Sequence, residues 1–130
     1  MNGGSLVVVA DDEDDILELV TTIIERAGHR VVPVRDGDAA LAAVRERRPD
    51  LVVLDISMPK VDGLEVLRLL RSEDETSELP VLLLSARAQE DDVRLGFATG
   101  ASAYVKKPFS PGELSRRVDD LLGPAAQSDL

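Results

Sequence analysis

The sequence predicts a doubly wound α/β fold, with helices on both faces of a five-stranded parallel sheet, and three observations predict it. Leu6 to Ala10, Leu51 to Leu54 and Val81 to Leu84 are unbroken runs of Val, Leu and Ala, which suit strands buried on both faces rather than half-exposed ones. Stretches with apolar residues at helical spacing alternate with the strand-like runs along the whole chain. Every strand is therefore separated from the next by a helical crossover, and strands joined in that way run parallel.

Leu6 to Ala10 is the first strand, and Asp11, Asp12, Glu13, Asp14 and Asp15 close it. Acidic residues suit the positive end of a helix, so Asp14 or Asp15 is expected to cap the helix that follows. Capping does not explain why carboxylates begin directly at the strand end. An EF-hand calcium loop is excluded, because Ile16 stands where its turning glycine belongs. Ile16, Leu17, Val20, Ile23, Ile24 and Ala27 recur at helical spacing, and Gly28 supplies the stop. Arg30 to Arg35 reads as a short strand whose Pro33 cannot donate a ladder hydrogen bond, which places it at the edge of the sheet.

Asp36-Gly37-Asp38 turns the chain and caps a second helix, with Ala40, Leu41, Ala43 and Val44 as its apolar positions and Arg47-Arg48-Pro49 as its end. The central strand, Leu51 to Leu54, runs into Asp55 and leaves the sheet through Ile56-Ser57-Met58-Pro59-Lys60-Val61-Asp62-Gly63. Leu64, Val66, Leu67 and Leu70 carry the third helix, and Ser72 to Glu78 reads as a polar loop. Pro80 opens the fourth strand, which ends in Ser85-Ala86. The fourth helix is expected over Glu90 to Thr99, with Val93, Leu95, Phe97 and Ala98 as its thin apolar set and Gly100 as its stop. Ala103-Tyr104-Val105 is a short last strand running into Lys106-Lys107-Pro108-Phe109. Ser110-Pro111-Gly112-Glu113 is a capping box with proline at the first helical position, and Leu114, Val118, Leu121 and Leu122 give the last helix its core face.

At 130 residues the chain fits one domain and is long enough to bury roughly two thirds of its unfolded surface. With no Cys it has no disulfide, no thiolate metal site and no thiol nucleophile. His29 is the only histidine and follows Gly28 with no motif around it, which argues against a histidine-based hydrolase triad. No apolar run approaches the roughly 20 residues of a membrane span, and Met1 to Ser5 lacks the regions of a signal peptide, so a cytoplasmic protein without membrane partners is expected. The formal net charge of -10 and the scarcity of aromatics argue against nucleic-acid binding by this chain.

In a parallel sheet all strand ends lie on one edge, where α/β folds bind ligands. That edge gathers Asp11 and Asp12 after the first strand, Asp55 after the third, Ser85 after the fourth and Lys107 after the fifth. If the first and third strands are neighbours, Asp12 and Asp55 meet. Clustered carboxylates repel, by up to about 4 kcal/mol for a close pair at an effective dielectric of 20. A divalent cation would relieve that repulsion, and all-oxygen ligation suits Mg²⁺. A lysine and a hydroxyl facing the same cation are what a phosphoryl group needs for its remaining oxygens. Taken alone, Asp55 could equally be a turn residue ending its strand.

Four segments together resemble the receiver domain of bacterial two-component response regulators: Val9 to Glu13 (Val-Ala-Asp-Asp-Glu), Leu54 to Gly63, Ser85-Ala86, and Tyr104 to Phe109 (Tyr-Val-Lys-Lys-Pro-Phe). The resemblance runs from about Leu6 to Leu122. It implies a CheY-like, flavodoxin-like (βα)5 fold with strand order 2-1-3-4-5, residues 1–124 forming one receiver domain and 125–130 a flexible tail or linker stub. It further implies that Asp55 is the phosphorylation site, taking a phosphoryl group from a sensor histidine kinase, a histidine phosphotransfer protein or a small donor such as acetyl phosphate. Asp12, Asp55 and the backbone carbonyl of Ser57 would hold Mg²⁺, with Asp11 acting through water. Lys107, rather than its neighbour Lys106, would contact the phosphoryl group, and Ser85 would donate to it.

Ser85 and Tyr104 would carry the switch to the surface of the fourth helix, fifth strand and fifth helix, for a protein target, an output domain or a phosphorylation-dependent dimer in place of the monomer. Met58 and Arg87 flank the water path in similar proteins, and the Lys107-Pro108 bond is cis in such domains. Gly100 to Ala103 lacks the acidic pair that winged-helix regulators carry before this tyrosine, which weakens the case for their dimer. The expected activity is self-phosphotransfer with slow autodephosphorylation, not turnover of an external substrate. The alternatives are the receiver of a DNA-binding transcriptional regulator, a Mg²⁺-dependent aspartyl-phosphate phosphohydrolase, against which Ser57 stands where the second acid belongs, and a phosphorylation-independent scaffold.

Overall fold

The computed structural model describes residues 4–86 and 90–122, with the backbone alone at 90–92. The elements are β1 (Leu6–Ala10), α1 (Asp14–Arg26), β2 (Arg30–Val34), α2 (Gly37–Arg47), β3 (Leu51–Asp55), α3 (Gly63–Ser72), β4 (Val81–Ser85), α4 (Glu90–Thr99), β5 (Ala103–Lys106) and α5 (Pro111–Leu122). All four strand pairs are parallel, in the order β2-β1-β3-β4-β5. Every residue of β1, β3 and β4 is buried, as their continuous apolar runs require. Pro33 lies exposed on β2, at the edge, where its missing N–H is harmless.

Alternation along the buried strands sends side chains to two separate cores. Val7, Val9, Leu51, Val53, Leu82 and Leu84 pack on one face against Leu17, Val20 and Ile24 of α1 and Leu114 and Val118 of α5. Val8, Val52, Leu54, Val81 and Leu83 pack on the other against Ala40, Leu41 and Val44 of α2 and Val66, Leu67 and Leu70 of α3. Full burial of each Val or Leu is worth roughly 1.5–3 kcal/mol, so the two layers fix the sheet and its edge.

Several local expectations change in detail. Neither Asp14 nor Asp15 caps α1: Glu13 holds the N-cap position without a side-chain cap bond, and the two aspartates sit in the first turn. The Glu13 side chain accepts from Lys107 instead, which leaves the cap unused. The polar stretch after α3 contains a 3-10 turn, Asp74–Thr76, because Thr76 is buried and its hydroxyl donates to the Leu70 carbonyl. In α4, Leu95, Phe97 and Ala98 are exposed and Gly96 is buried. A Cβ at Gly96 would come within 2.8 Å of the Leu83 side chain, so the helix approaches the sheet through its glycine rather than its larger apolar residues. Asp36 caps α2 through Ala39 N–H at 2.8 Å, Ser110 accepts from Glu113 N–H at 3.1 Å, and Gly28 and Gly100 take positive φ as helix stops. Arg87 and residues 123–130, with their expected end of α5 and tail, lie outside the described residues. Among the described residues no helix is long and apolar enough to cross a membrane.

Candidate functional site

Strand register assembles the site. Ala10 pairs with Leu54, so the next residues of the two strands, Asp11 and Asp55, emerge side by side. Asp55 pairs with Leu84, and Ser85 with Lys106, which brings Ser85 and Lys107 to the same edge one step on. The chain leaving β3 is held close to that edge. Ile56 O accepts from Gly63 N–H at 2.9 Å, Asp62 Oδ1 caps α3 through Glu65 N–H at 2.9 Å, and a Cβ at Gly63 would lie 2.3 Å from the Asp55 carbonyl oxygen. Only glycine allows the loop to fold back that tightly.

Lys107 is the electrostatic centre. Its Nζ lies 2.9 Å from Asp11 Oδ2, 3.2 Å from Glu13 Oε1 and 3.4 Å from Asp55 Oδ1. Asp11, Asp55, Ser85 and Lys107 are buried, whereas Asp12 and Ser57 are exposed. Burial, joined by repulsion from Asp11, pushes the Asp55 carboxyl up to about 6, and the Lys107 ammonium and the Ser57 N–H only partly oppose this. Burial pulls Lys107 down, but Asp11, Asp55 and Glu13 outweigh it and hold the ammonium above its ordinary range.

Asp11, Asp12 and Asp55 each offer an oxygen, all within 4.8 Å of one another. Asp11 Oδ2 is fully buried and faces the Lys107 ammonium at 2.9 Å. An all-carboxylate donor set of this kind fits a hard divalent cation. The cluster opens to a cleft of about 240 Å³ lined by Asp12, Glu13, Asp55, Ser57, Ala86 and Lys107. A second hollow shares Asp12 and Ser57 and reaches Met58 and Ser85.

Every described residue expected at the site is on this edge except Tyr104, which lies half-buried on β5 against the α2/α3 core. Met58 is buried in that same core. Lys106 is exposed, and the lysine before proline is the one turned inward, across a cis Lys107-Pro108 bond. Sequence reasoning missed Glu13 as a partner of Lys107. It was legible only as part of Val9 to Glu13, where it read as one more acid at a helix start. The two ion-pairing residues are separated by most of the chain.

The sequence matches the family model described as "Response regulator receiver domain" over residues 7–119. It is 41% identical over 116 residues to the alkaline phosphatase synthesis transcriptional regulatory protein PhoP of Bacillus subtilis, covering 89% of this chain and 48% of that protein. It is 42% identical over 112 residues to the DNA-binding response regulator MtrA of Mycolicibacterium smegmatis, covering 86% and 48%. The chain thus spans about half the length of the curated relatives it matches. Among solved structures it resembles the receiver domain of the Francisella response regulator 1452, with a TM-score of 0.86 at 34% identity over 92% of this chain and 97% of that one. The chemotaxis response regulator CheY4 of Vibrio cholerae gives 0.85 at 28% identity over 90% and 98%.

Proposed function

The chain belongs to the response regulator receiver domain family, and from that premise we propose that Asp55 is its phosphoacceptor, with Mg²⁺ as cofactor. The observation that carries this reading is the cluster of Asp11, Asp12 and Asp55 oxygens within 4.8 Å, next to the buried Lys107 ammonium. An Asp55 oxygen attacks phosphorus, the bond to the leaving group breaks, and an acyl phosphate forms. With acetyl phosphate the leaving group is acetate, which keeps the bond's electron pair and needs no proton. With a kinase or phosphotransfer phosphohistidine it is imidazole. Asp12, Asp55 and the Ser57 carbonyl would hold Mg²⁺, with Asp11 acting through water. The bound ion would neutralise charge on the carboxylates and on the transferring phosphoryl oxygens. Lys107 binds one phosphoryl oxygen and Ser85 donates to another. Positioning and charge account for most of such a transfer, so no further acid is required. Ser57, exposed where an aspartyl-phosphate hydrolase would carry its acid, supports acceptance with slow self-hydrolysis rather than turnover.

In this reading residues 1–124 act as one receiver domain in the cytoplasm, with 125–130 as tail or linker. Ser85 and Tyr104 carry the change to the α4-β5-α5 surface, where a partner protein, an output domain or a second receiver binds. A transcriptional output is favoured by two relatives, one named as a transcriptional regulatory protein and the other as DNA-binding. Intact mass after incubation with acetyl phosphate, with and without Mg²⁺, tests the chemistry. One phosphoryl group is expected, dependent on Mg²⁺ and lost in Asp55→Asn. Addition that persists in Asp55→Asn overturns the assignment.

A further inference from the structure

Of the three carboxylates around Lys107, one is unlike the others. Asp11 and Asp55 have side chains 0% and 5% exposed, whereas that of Glu13 is 63% exposed. Glu13 stands at the N-cap of α1, where a short polar side chain would turn back to the first helical N–H groups, and it makes no such bond. Its side chain reaches across instead to Lys107 at 3.2 Å. The Glu13 backbone is fixed at both ends. Its N–H donates to Asp11 Oδ1 at 2.9 Å, and its carbonyl accepts from Leu17 N–H at 2.9 Å. A pinned backbone under an exposed, three-torsion side chain is a hinge, and the group at its end holds the ammonium that an incoming phosphoryl group needs.

We infer that Glu13 is a releasable tether on Lys107, a positioning residue that holds the ammonium while Asp55 is bare and yields it to the phosphoryl group. The inference rests on the phosphoacceptor reading of Asp55. Glu13 suits release because it lies outside the three-aspartate cluster and can return to solvent at little desolvation cost. Asp11 and Asp55 cannot move aside in this way. Releasing the tether is work that each anionic donor must do before Lys107 can bind it, so Glu13 restrains acceptance.

The test compares initial rates of phosphoryl gain from acetyl phosphate, by intact mass, at saturating Mg²⁺ and constant ionic strength. Glu13→Gln should raise the rate at sub-saturating donor by about 3- to 10-fold, with a smaller change at saturation. Asp15→Asn removes the same charge two residues on, in the first turn of α1 and without touching Lys107, and should change it by less than about 2-fold. Glu13→Asp keeps the charge but is one methylene shorter and suits the helix cap, so it should group with Glu13→Gln. In the Mg²⁺-free protein the Lys107 13Cε resonance should move in both Glu13 variants and stay in Asp15→Asn. Equal rates for Glu13→Gln and Asp15→Asn, or Glu13→Asp behaving as wild type, overturn the tether alone. A wild-type protein that gains no phosphoryl group overturns the acceptor reading, and the tether with it.

Discussion

Strand β3 enters the sheet beside one aspartate and leaves it on another, and the two are used in opposite ways. At the amino edge, Asp50 Oδ2 accepts from Leu6 N–H at 2.8 Å while Asp50 N–H donates to Leu6 O at 2.7 Å, so a single residue closes the amino end of the β1–β3 pair with two bonds. His29 Nδ1 accepts from Ser5 N–H at 3.1 Å, Ser102 Oγ accepts from Val81 N–H at 3.1 Å, and Arg71 donates to the carbonyls of Gly100 and Thr76. These polar side chains satisfy backbone groups. At the carboxyl edge the buried charges face one another instead. The difference separates an edge whose polar side chains serve the backbone from one whose carboxylates outnumber the single buried ammonium between them.

The comparison breaks most visibly if Lys107 is removed. Lys107→Met leaves Asp11 and Asp55 buried without their cation and should destabilise the Mg²⁺-free protein by about 3 kcal/mol at pH 8. The loss should shrink toward pH 5, since protonation of Asp55, whose carboxyl burial pushes up, removes part of the unpaired charge. Urea unfolding at both pH values checks this, and a loss independent of pH would mean that Lys107 matters for its packing alone.

Asp55→Asn should act in the opposite direction. The folded carboxyl titrates at about 6, above its ordinary 3.8, so the folded state holds the proton more tightly than the unfolded chain. Ionisation therefore opposes folding. The penalty is absent below the ordinary value, grows as pH rises between the two, and is full above about 6. Asparagine removes it, and the Mg²⁺-free variant should be about 1 to 3 kcal/mol more stable than wild type at pH 8, with the gain gone near pH 4. Adding Mg²⁺ should raise the wild-type melting temperature more at pH 8 than at pH 5, and the variant's less at either. Differential scanning calorimetry reads all four conditions.

The same contrast explains what the sequence reveals. Strands buried on both faces leave continuous apolar runs, and parallel register then carries residues that follow the strands to a shared edge. Asp11, Asp55, Ser85 and Lys107 were legible for that reason. Their roles came from the resemblance, since spacing alone left Asp55 equally a turn residue. The pairing of Glu13 with Lys107 left no periodic trace, because it joins two loops through one flexible side chain. α4 misled for a related reason: its buried position among the described side chains is Gly96, tight against Leu83, and hydropathy gives weight only to larger apolar residues. At the amino edge, nothing in the sequence distinguishes Asp50, Ser102 and Arg71 from other polar residues, and only the fold shows which backbone groups they meet.

Asp50 provides the smallest and sharpest form of the comparison. Asp50→Ala removes the acceptor from Leu6 N–H and should cost about 1 kcal/mol, as expected for one part-buried side chain–backbone hydrogen bond. Asp50→Asn keeps an acceptor oxygen at the same reach and should recover most of that loss. Neither effect should respond to Mg²⁺, because Asp50 lies at the far end of β3 from the aspartate cluster. Aspartate to asparagine thus has opposite signs at the two ends of one strand: near neutral or slightly destabilising where the carboxylate serves the backbone, and stabilising where it faces other carboxylates. Should Asp50→Asn stabilise the protein as Asp55→Asn does, the gain would come from lowering a net charge of -10 in general, and the carboxyl edge would lose its claim to a special electrostatic strain.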